Sequence, residues 1–282
     1  MRTPERLAVT YLRIGALNEL QYRVNFFLSI VQSLVAVGTA LVVLALVFSH
    51  TDSLGGWSSD ELLVVMGVYV LIGGVIRSVI QPNMQQLMAD VQKGTLDGLL
   101  TKPADAQLLV SIRRFGLWQA VDVLVGLLLI GIALIRLEQG VDVLVGAALV
   151  VVGLVRVGRP VSVGAVLAFA LTLALGVVVL YCFWLLLTVT AFWIVRVDVL
   201  VELFDGLYQA GRWPVGIYPG WLRIAFTFLL PLAFAITVPA SALTRGVSGW
   251  VLLGVVAFTA ALFTVTRVVW RSALRHYTGA SA

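Results

Sequence analysis

The sequence predicts an all-α polytopic membrane protein with six transmembrane helices. The composition, the length of the apolar stretches and the placement of the basic residues support this fold class. Hydrophobic residues make up 61% of the 282-residue chain and charged residues only 12%, whereas about half of a soluble globular protein is apolar. The mean hydropathy is +1.04. We therefore expect a single transmembrane domain over residues 1–282, with backbone amides paired inside helices because lipid offers them no partner.

Six stretches are long enough to cross a bilayer core about 30 Å thick, which takes about 20 apolar residues. None of them contains more than one charged residue. One stretch, 161–195, exceeds the thickness of a bilayer, and we interpret it as one long helix because only Gly176 suggests a break. The predicted spans are 24–48, 62–80, 115–135, 161–195, 224–244 and 246–266.

The N-terminal residues 1–23 predict a helix that lies at the inner membrane interface. Thr3 and Pro4 are typical of a helix start. Charged residues interrupt any signal-peptide core. Apolar side chains then recur at helical spacing, which is typical of an interfacial helix: Leu7, Tyr11, Ile14 and Leu17.

A local duplication bears on the topology. The sequence VDVLVG occurs at Val121–Gly126 and again at Val141–Gly146. If the second copy stays on the outer side, fifteen Lys or Arg residues lie inside and four outside; if it crosses, the split is twelve and seven. Because cytoplasmic loops carry the excess of basic residues, we interpret 137–159 as an inserted apolar segment on the outer side. Both termini are then cytoplasmic.

Residues 81–114, called here the 81–114 loop, are predicted to face the cytoplasm. The loop holds both lysines of the chain. Pro82 predicts the end of the second span, and Pro103 the end of a short helix, because proline lacks an amide donor. Gly94 precedes that helix, whose apolar side consists of Leu96, Leu99 and Leu100. Such a helix either docks into a groove on a soluble partner or rests on the membrane surface, and the residues alone leave both open.

The sequence KGTLDGLLTKP in this loop resembles the cytoplasmic motif of ABC-2 type transporter permeases. Four further segments are similar to a branch of small, stand-alone permeases: 191–205, 211–223, 228–240 and 270–282. Gln92 and Lys93 stand where the family usually has a glutamate. The residues that match the motif are Gly94, Thr95, Leu96, Asp97, Leu99, Leu100 and Pro103.

The resemblance implies an ABC-2 exporter fold in a bacterial cytoplasmic membrane. It implies two permease subunits, identical or different, and two P-loop ATPase subunits that bind ATP and Mg. The matching residues of the 81–114 loop would then contact an ATPase subunit. No G-x-x-x-x-G-K-[ST] sequence occurs in this chain, so ATP is expected to bind to the partner. Export of a hydrophobic or amphiphilic substrate is the expected function.

A second group of residues is predicted on the inner side, as a further ATPase contact or a hinge. Its acidic members follow helical spacing, and its prolines force turns between aromatic residues. A solvated face and an aromatic anchor without a mechanical role stay open as alternatives. The group consists of Asp198, Glu202, Asp205, Arg212, Pro214, Tyr218 and Pro219.

No catalytic, cofactor-binding or metal site is predicted in this chain. His50 and His276 fall in segments that cannot easily share a site. Cys182 stands alone inside an apolar run, which indicates a packing role. No soluble segment combines a basic patch with aromatic residues, so nucleic acid is not an expected partner.

An ion-coupled secondary transporter is the alternative function. Such a protein needs ionisable groups near the middle of the membrane. Asp122 is the one acid well inside a predicted span, and it lies towards the inner side. We expect Asp122 to have an interfacial or helix-capping role and Arg77 to extend towards the cytoplasmic face.

Overall fold

A computed structural model describes the chain over residues 23–102, 105–139, 162–193 and 198–277. Within these ranges five helices are long and apolar enough to cross a membrane, or up to six if a sharply bent helix pair is counted as one span. The only strand-like feature described is an isolated bridge between Leu54 and Trp57. The predicted N-terminal interfacial helix falls almost wholly outside the described residues, and so does most of the inserted segment 137–159. Both stay predictions.

Helix α1, Arg23–Phe48, packs loosely against the rest of the chain. Val42 and Leu46 leave 68% and 63% of their surface exposed, whereas Ser33 is buried. Since an apolar face of this kind is stable in lipid, α1 has the properties of a helix at the periphery of the fold.

Helix α2, Ser59–Val75, does not end before Pro82 as the sequence predicts. It continues through a π-helical segment, Ile76–Ile80, into α3, Gln81–Gln92. Pro82 has no amide to offer the carbonyl of Ser78 four residues earlier. That carbonyl instead accepts the Gly116 N–H at 2.7 Å. The wider π turn and this outside donor allow the helix to pass through the proline.

Helix α6, Val121–Gln139, follows a 3-10 turn at Trp118–Ala120 and packs closely against α2. Glycines make this approach possible. A Cβ on Gly126 would lie 2.5 Å from the backbone nitrogen of Leu71, and one on Gly67 would lie 2.7 Å from Ile130 Cγ1. Small residues of this kind are what bring helices together in membranes.

Helix α7, Val163–Val189, ends in a 3-10 turn at Thr190–Phe192 and confirms the prediction of one long helix. Gly176 does not break it. A Cβ there would lie 2.7 Å from Ala235 Cα, so the glycine allows a neighbouring segment to pack closely. Cys182 is fully buried in the core, as expected.

The molecule has two ends, which we name by the segments they carry. The loop end carries the 81–114 loop, and the far end carries residues 50–58. Helix α8, Asp198–Tyr208, and the 3-10 turns Gln209–Arg212 and Val215–Ile217 run from the loop end to the far end beside α2. Three successive contacts establish this path: Asp205 with Gln81, the Tyr208 hydroxyl with the Tyr69 carbonyl at 2.7 Å, and Ile217 Cγ1 with Gly55.

The predicted fifth span, 224–244, is instead a bent pair of helices. The first arm is α9, Gly220–Ile224, extended by a π segment, and the second ends with α10, Val238–Thr244; the arms meet at 80°. Ile217, just before the pair, contacts Gly55. Arg245, just after it, lies 3.9 Å above the ring of Trp57. Both ends of the pair are therefore at the far end, so the pair enters the fold and returns.

The passage across the fold that the sequence assigned to 224–244 is made by 198–217. Hydropathy favoured 224–244, because the bent pair is as apolar as a true span, whereas 198–217 contains four charged residues. Helix α11, Gly249–His276, then returns to the loop end and packs against α7. The Gly211–Arg223 segment, predicted on the same side as the 81–114 loop, consequently lies towards the far end.

Candidate functional site

The motif begins at a sharp helix end that only glycine forms easily. At the end of α3, Gly94 has φ +66°, a conformation that other residues rarely adopt. Its amide donates to the Val91 carbonyl at 3.2 Å, and the Thr95 amide donates to the Asp90 carbonyl at 2.9 Å. This pair of bonds is the Schellman arrangement. It directs the chain out of α3 and into the short helix α4, Asp97–Leu100.

Asp90 connects the outgoing and the returning halves of the 81–114 loop. It is the acid nearest to Gln92 and Lys93, and it is buried. Its carboxylate accepts from Gln86 at 2.7 Å, from the Thr95 hydroxyl at 3.2 Å and from Arg113 at 2.5 Å. The carboxylate oxygens of Asp90 are therefore used in bonds within this chain.

Asn83 joins the start of the 81–114 loop to its end. Its side chain is 1% exposed. The amide group donates to the carbonyls of Val79 and Arg114, each at 2.7 Å. Its oxygen accepts the N–H groups of Arg113 and Arg114 at 2.8 and 2.9 Å. One side chain thus bonds to the backbone of both the π-helical segment before α3 and the returning segment.

The leucines of the motif point in different directions. Leu96 and Leu99 are 0% and 4% exposed and belong to the core of this chain, whereas Leu100 is 37% exposed. Leu108, on the neighbouring helix α5, Ala106–Ser111, is 42% exposed. An outside partner can therefore contact Leu100 and Leu108 but not the buried pair. Gly98 is exposed and Asp97 half-buried; Pro103 lies outside the described residues.

Asp105 caps α5 and connects the loop to the last helix. Its carboxylate accepts the N–H groups of Gln107 and Leu108 at 2.9 and 3.3 Å and pairs with Arg267 of α11. Hydrogen bonds from Arg267, helped by those from the two amides, lower the pKa of Asp105 from 3.8 to about 2. The pairing is therefore complete above pH 3.8 and is lost only as the pH falls through about 2.

Two tyrosines provide further attachments for the loop. The Tyr181 hydroxyl of α7 lies 2.7 Å from the Ser111 hydroxyl and 3.3 Å from the Gln107 amide nitrogen. Tyr277, after α11, accepts the Leu96 N–H at 3.1 Å. A displacement of α4 or α5 would consequently act on α7 and α11.

Sequence analysis did not identify these attachment residues. Asp105 carried a usable signal, since an acid just after Pro103 and before Ala106 is typical of an N-cap. Asn83 follows a proline inside an amphipathic stretch and had no distinguishing pattern. Arg267 was counted only as a basic residue at a helix end, because its partner is 162 positions away.

The structure divides the second predicted group between the two ends. Asp198 begins α8 near the loop end, and Glu202 is exposed on the same helix. Asp205 bonds to Gln81. The other four lie towards the far end: Arg212, Pro214, Tyr218 and Pro219. Tyr218 donates to the Ala210 carbonyl at 2.8 Å, which closes the segment that contains Pro214.

Asp122 and Arg77 form an ion pair rather than acting separately. Arg77 Nη2 lies 2.5 Å from Asp122 Oδ2. The arginine was expected to extend towards the cytoplasm and the acid to cap a helix. Pairing stabilises both charges inside the membrane-spanning part of the fold. Asp122, the acid on which an ion-coupled mechanism would depend, is therefore already paired with an arginine. Among the described residues no group of three or more His, Cys, Asp or Glu could hold a metal ion.

Two cavities follow the seam between α1 and α2. The larger, about 370 Å³, is lined on the loop-end side by polar groups that include Gln32, Ser33, Gln119 and the Arg77–Asp122 pair. The smaller, about 80 Å³, is lined mainly by apolar side chains nearer the far end. Ala40, Met66 and Arg212 line both cavities. The seam therefore offers a polar site that continues into an apolar one.

Comparison with known proteins gives one family. The family described as ABC-2 family transporter protein matches two stretches of the chain, residues 34–141 and 134–281. The stretches overlap inside the region of the duplication. No curated protein and no solved structure matches this chain.

Proposed function

The chain belongs to the ABC-2 family of transporter proteins, and from this premise we propose that it is the permease subunit of an ATP-driven exporter. It works with two ATPase subunits that bind ATP and Mg, and with a second permease subunit, identical or different. The membrane is the bacterial cytoplasmic membrane. The loop end and both termini face the cytoplasm, where the ATPases are.

The observation that carries the proposal is the construction of the 81–114 loop. Two short helices, α4 and α5, expose apolar side chains at Leu100 and Leu108. Buried polar contacts of Asn83 and Asp90 hold together the parts of the loop that the structure describes. A short, rigid helix with an exposed apolar side chain suits a groove on a soluble partner.

The attachments of the loop suggest how movement of the ATPases reaches the membrane. Asp105 pairs with Arg267 of α11, and Ser111 bonds to Tyr181 of α7. A displacement of α4 and α5 by the ATPases would therefore shift α7 and α11 relative to α2. Small shifts of packed helices are a common way to alternate access to a binding site.

The test is co-purification of the tagged permease with its ATPase from the native host, identified by mass spectrometry. Leu100→Asp combined with Leu108→Asp should reduce the bound ATPase at least about tenfold, because charges replace the apolar contact. Leu99 is a poor target, since a charge at this buried position would disrupt the loop itself.

The matched control is Ser53→Asp, which adds a charge at an exposed position of the far end. It should leave the bound ATPase unchanged. A folded permease that is purified without any P-loop ATPase would contradict the proposed function. An ATPase retained equally by the double variant would contradict the assigned contact.

A further inference from the structure

Arg212 lies deep in the fold, where the two cavities meet. Its neighbours Met66 and Tyr69 are on α2, which begins at Ser59. At 1.5 Å per residue these neighbours are about 10–15 Å from the start of the helix. Arg212 is therefore within the membrane-spanning part of the fold, where a basic residue is costly and usually serves a function.

Arg212 differs from five other arginines of the described residues. Arg77, Arg113, Arg136, Arg245 and Arg267 each form an ion pair with an acid. For Arg212, the described part of the chain offers no acid within ion-pair distance. Its guanidinium lies 5.7 Å from the centre of the Tyr69 ring, and this cation–π contact orients the group without neutralising it.

Two uncharged polar groups that line the larger cavity have no hydrogen-bond partner among the described residues. One is the hydroxyl of Ser33, which is 8% exposed. The other is the buried side-chain oxygen of Gln119. A buried polar atom left unpaired is destabilising. A bound molecule that carries its own polar atoms would remove this cost.

We propose that the seam between α1 and α2 binds an amphiphile with an acidic headgroup, a phosphate or a carboxylate, and that Arg212 pairs with that headgroup. Ser33 and Gln119 supply neutral hydrogen-bonding groups in the same cavity. The apolar chain packs along the seam, where Val43, Leu44 and Leu62 line the smaller cavity. The larger cavity, about 370 Å³, falls within the usual range of small-molecule sites.

This inference specifies the chemical class of substrate within the proposed function, and only its assignment as transported cargo depends on that function. Arg77 is a weaker anchor, because Asp122 already neutralises it and Asp205 lies close to it. The uncompensated charge at Arg212 therefore selects for an acidic headgroup over a neutral or a basic one.

The test is a binding assay on the purified permease without any ATPase. A dansyl-labelled fatty acid serves as the probe, and dodecyl phosphate, dodecyl maltoside and dodecyltrimethylammonium serve as chain-matched competitors. We expect dodecyl phosphate to displace the probe and the other two to be at least about tenfold weaker, a difference of about 1.4 kcal/mol. Inorganic phosphate alone should not compete, because it has no apolar chain.

Variants assign the site to Arg212. Arg212→Gln should weaken the binding of dodecyl phosphate about tenfold or more, and Arg212→Lys should retain part of it. The control Arg275→Gln removes an exposed charge of the last turn of α11 and should have no effect. Thermal unfolding of each variant in detergent shows whether it is folded.

Equal affinities for the acidic, neutral and basic amphiphiles would overturn the inference. So would an equal loss in a folded Arg212→Gln variant and in the Arg275→Gln control, since that result indicates attraction to the protein surface in general. A two-chain phosphatidylglycerol that competes through Arg212 would identify a bilayer lipid as the source of the headgroup. If the ATPase experiment fails while this assay succeeds, the proposed function is wrong and the acidic-amphiphile site stands.

Discussion

At the scale of single residues, the fold of the 81–114 loop depends on buried polar side chains. Asn83 and Asp90 are 1% and 6% exposed, and together they bond to both halves of the loop. Because these groups are buried, water cannot easily replace the hydrogen bonds that they form. Their loss should therefore affect the loop far more than the loss of an exposed polar residue.

We predict that Asn83→Ala destabilises the protein by about 2–3 kcal/mol, because buried donors and acceptors of the backbone are left unpaired. Thermal unfolding in detergent, followed by tryptophan fluorescence, measures the effect. Gln85→Ala is the matched control, since Gln85 is exposed on the same helix. Equal melting temperatures for the two variants would contradict the role of Asn83 as the fastening point.

At the scale of helices, glycines determine how closely α2 and α6 pack. A Cβ on Gly126 would lie 2.5 Å from the Leu71 nitrogen and 2.7 Å from the Gly67 carbonyl oxygen. Both are backbone atoms, so a rotamer change cannot relieve the clash. The two helices would have to move apart.

Gly126→Ala should consequently destabilise the protein by about 1–3 kcal/mol through overpacking. Gly254→Ala serves as the control, because a Cβ there has no neighbour within 4 Å in the described structure. It should be neutral or slightly stabilising in a helix. Thermal unfolding of both variants gives the comparison, and a neutral Gly126→Ala would show that the helices are not in close contact.

If the bent pair 220–244 returns instead of crossing, the residues before it lie on the same side of the membrane as residues 50–58. In a Cys182→Ala background, single cysteines replace Asp52, Gly216 or Lys102, all exposed. A thiol reagent that cannot cross membranes should label Asp52→Cys and Gly216→Cys on intact cells, since both are at the far end. Lys102→Cys should react only after lysis. If Gly216→Cys behaves like Lys102→Cys, the pair crosses the membrane instead of returning.

At the scale of the whole molecule, the ion pair of Asp105 and Arg267 connects the 81–114 loop to α11. Its side chains are 41% and 29% exposed, so the pair contributes about 1 kcal/mol or less to stability. We expect the pair to transmit movement between the loop and α11. Breaking it should change how the parts move together while leaving the fold intact.

We predict that Arg267→Gln retains ATP hydrolysis by the assembled complex and loses most of the transport. The exchange Asp105→Arg with Arg267→Asp should restore part of it, because the pair is re-formed in reverse. Transport and ATP hydrolysis are measured on the same vesicles. Between pH 5 and 8 the wild-type link should be independent of pH, since the pKa of Asp105 is about 2. Full transport by Arg267→Gln would exclude the link from the coupling path.

The sequence by itself determined the class of this protein. The length and polarity of an apolar stretch are local properties, and they decide whether the stretch can span a bilayer. The long helix over 163–192 and the buried Cys182 followed in the same way. The helix end at Gly94 was predictable for the same reason, because a helix end with φ +66° favours glycine. The motif around it was recognised through its resemblance to ABC-2 permeases.

Only the tertiary structure decided which segment crosses the fold and which one returns. The segments 198–217 and 220–244 differ in where their ends attach, and Ile217 on Gly55 and Arg245 on Trp57 and Glu61 are contacts between distant parts of the chain. The passage of the helix through Pro82 depended on a donor from Gly116. The links from Asp105 to Arg267 and from Ser111 to Tyr181 likewise join residues far apart in the chain. Hydropathy and spacing describe neighbours along the chain, and these features depend on neighbours in space.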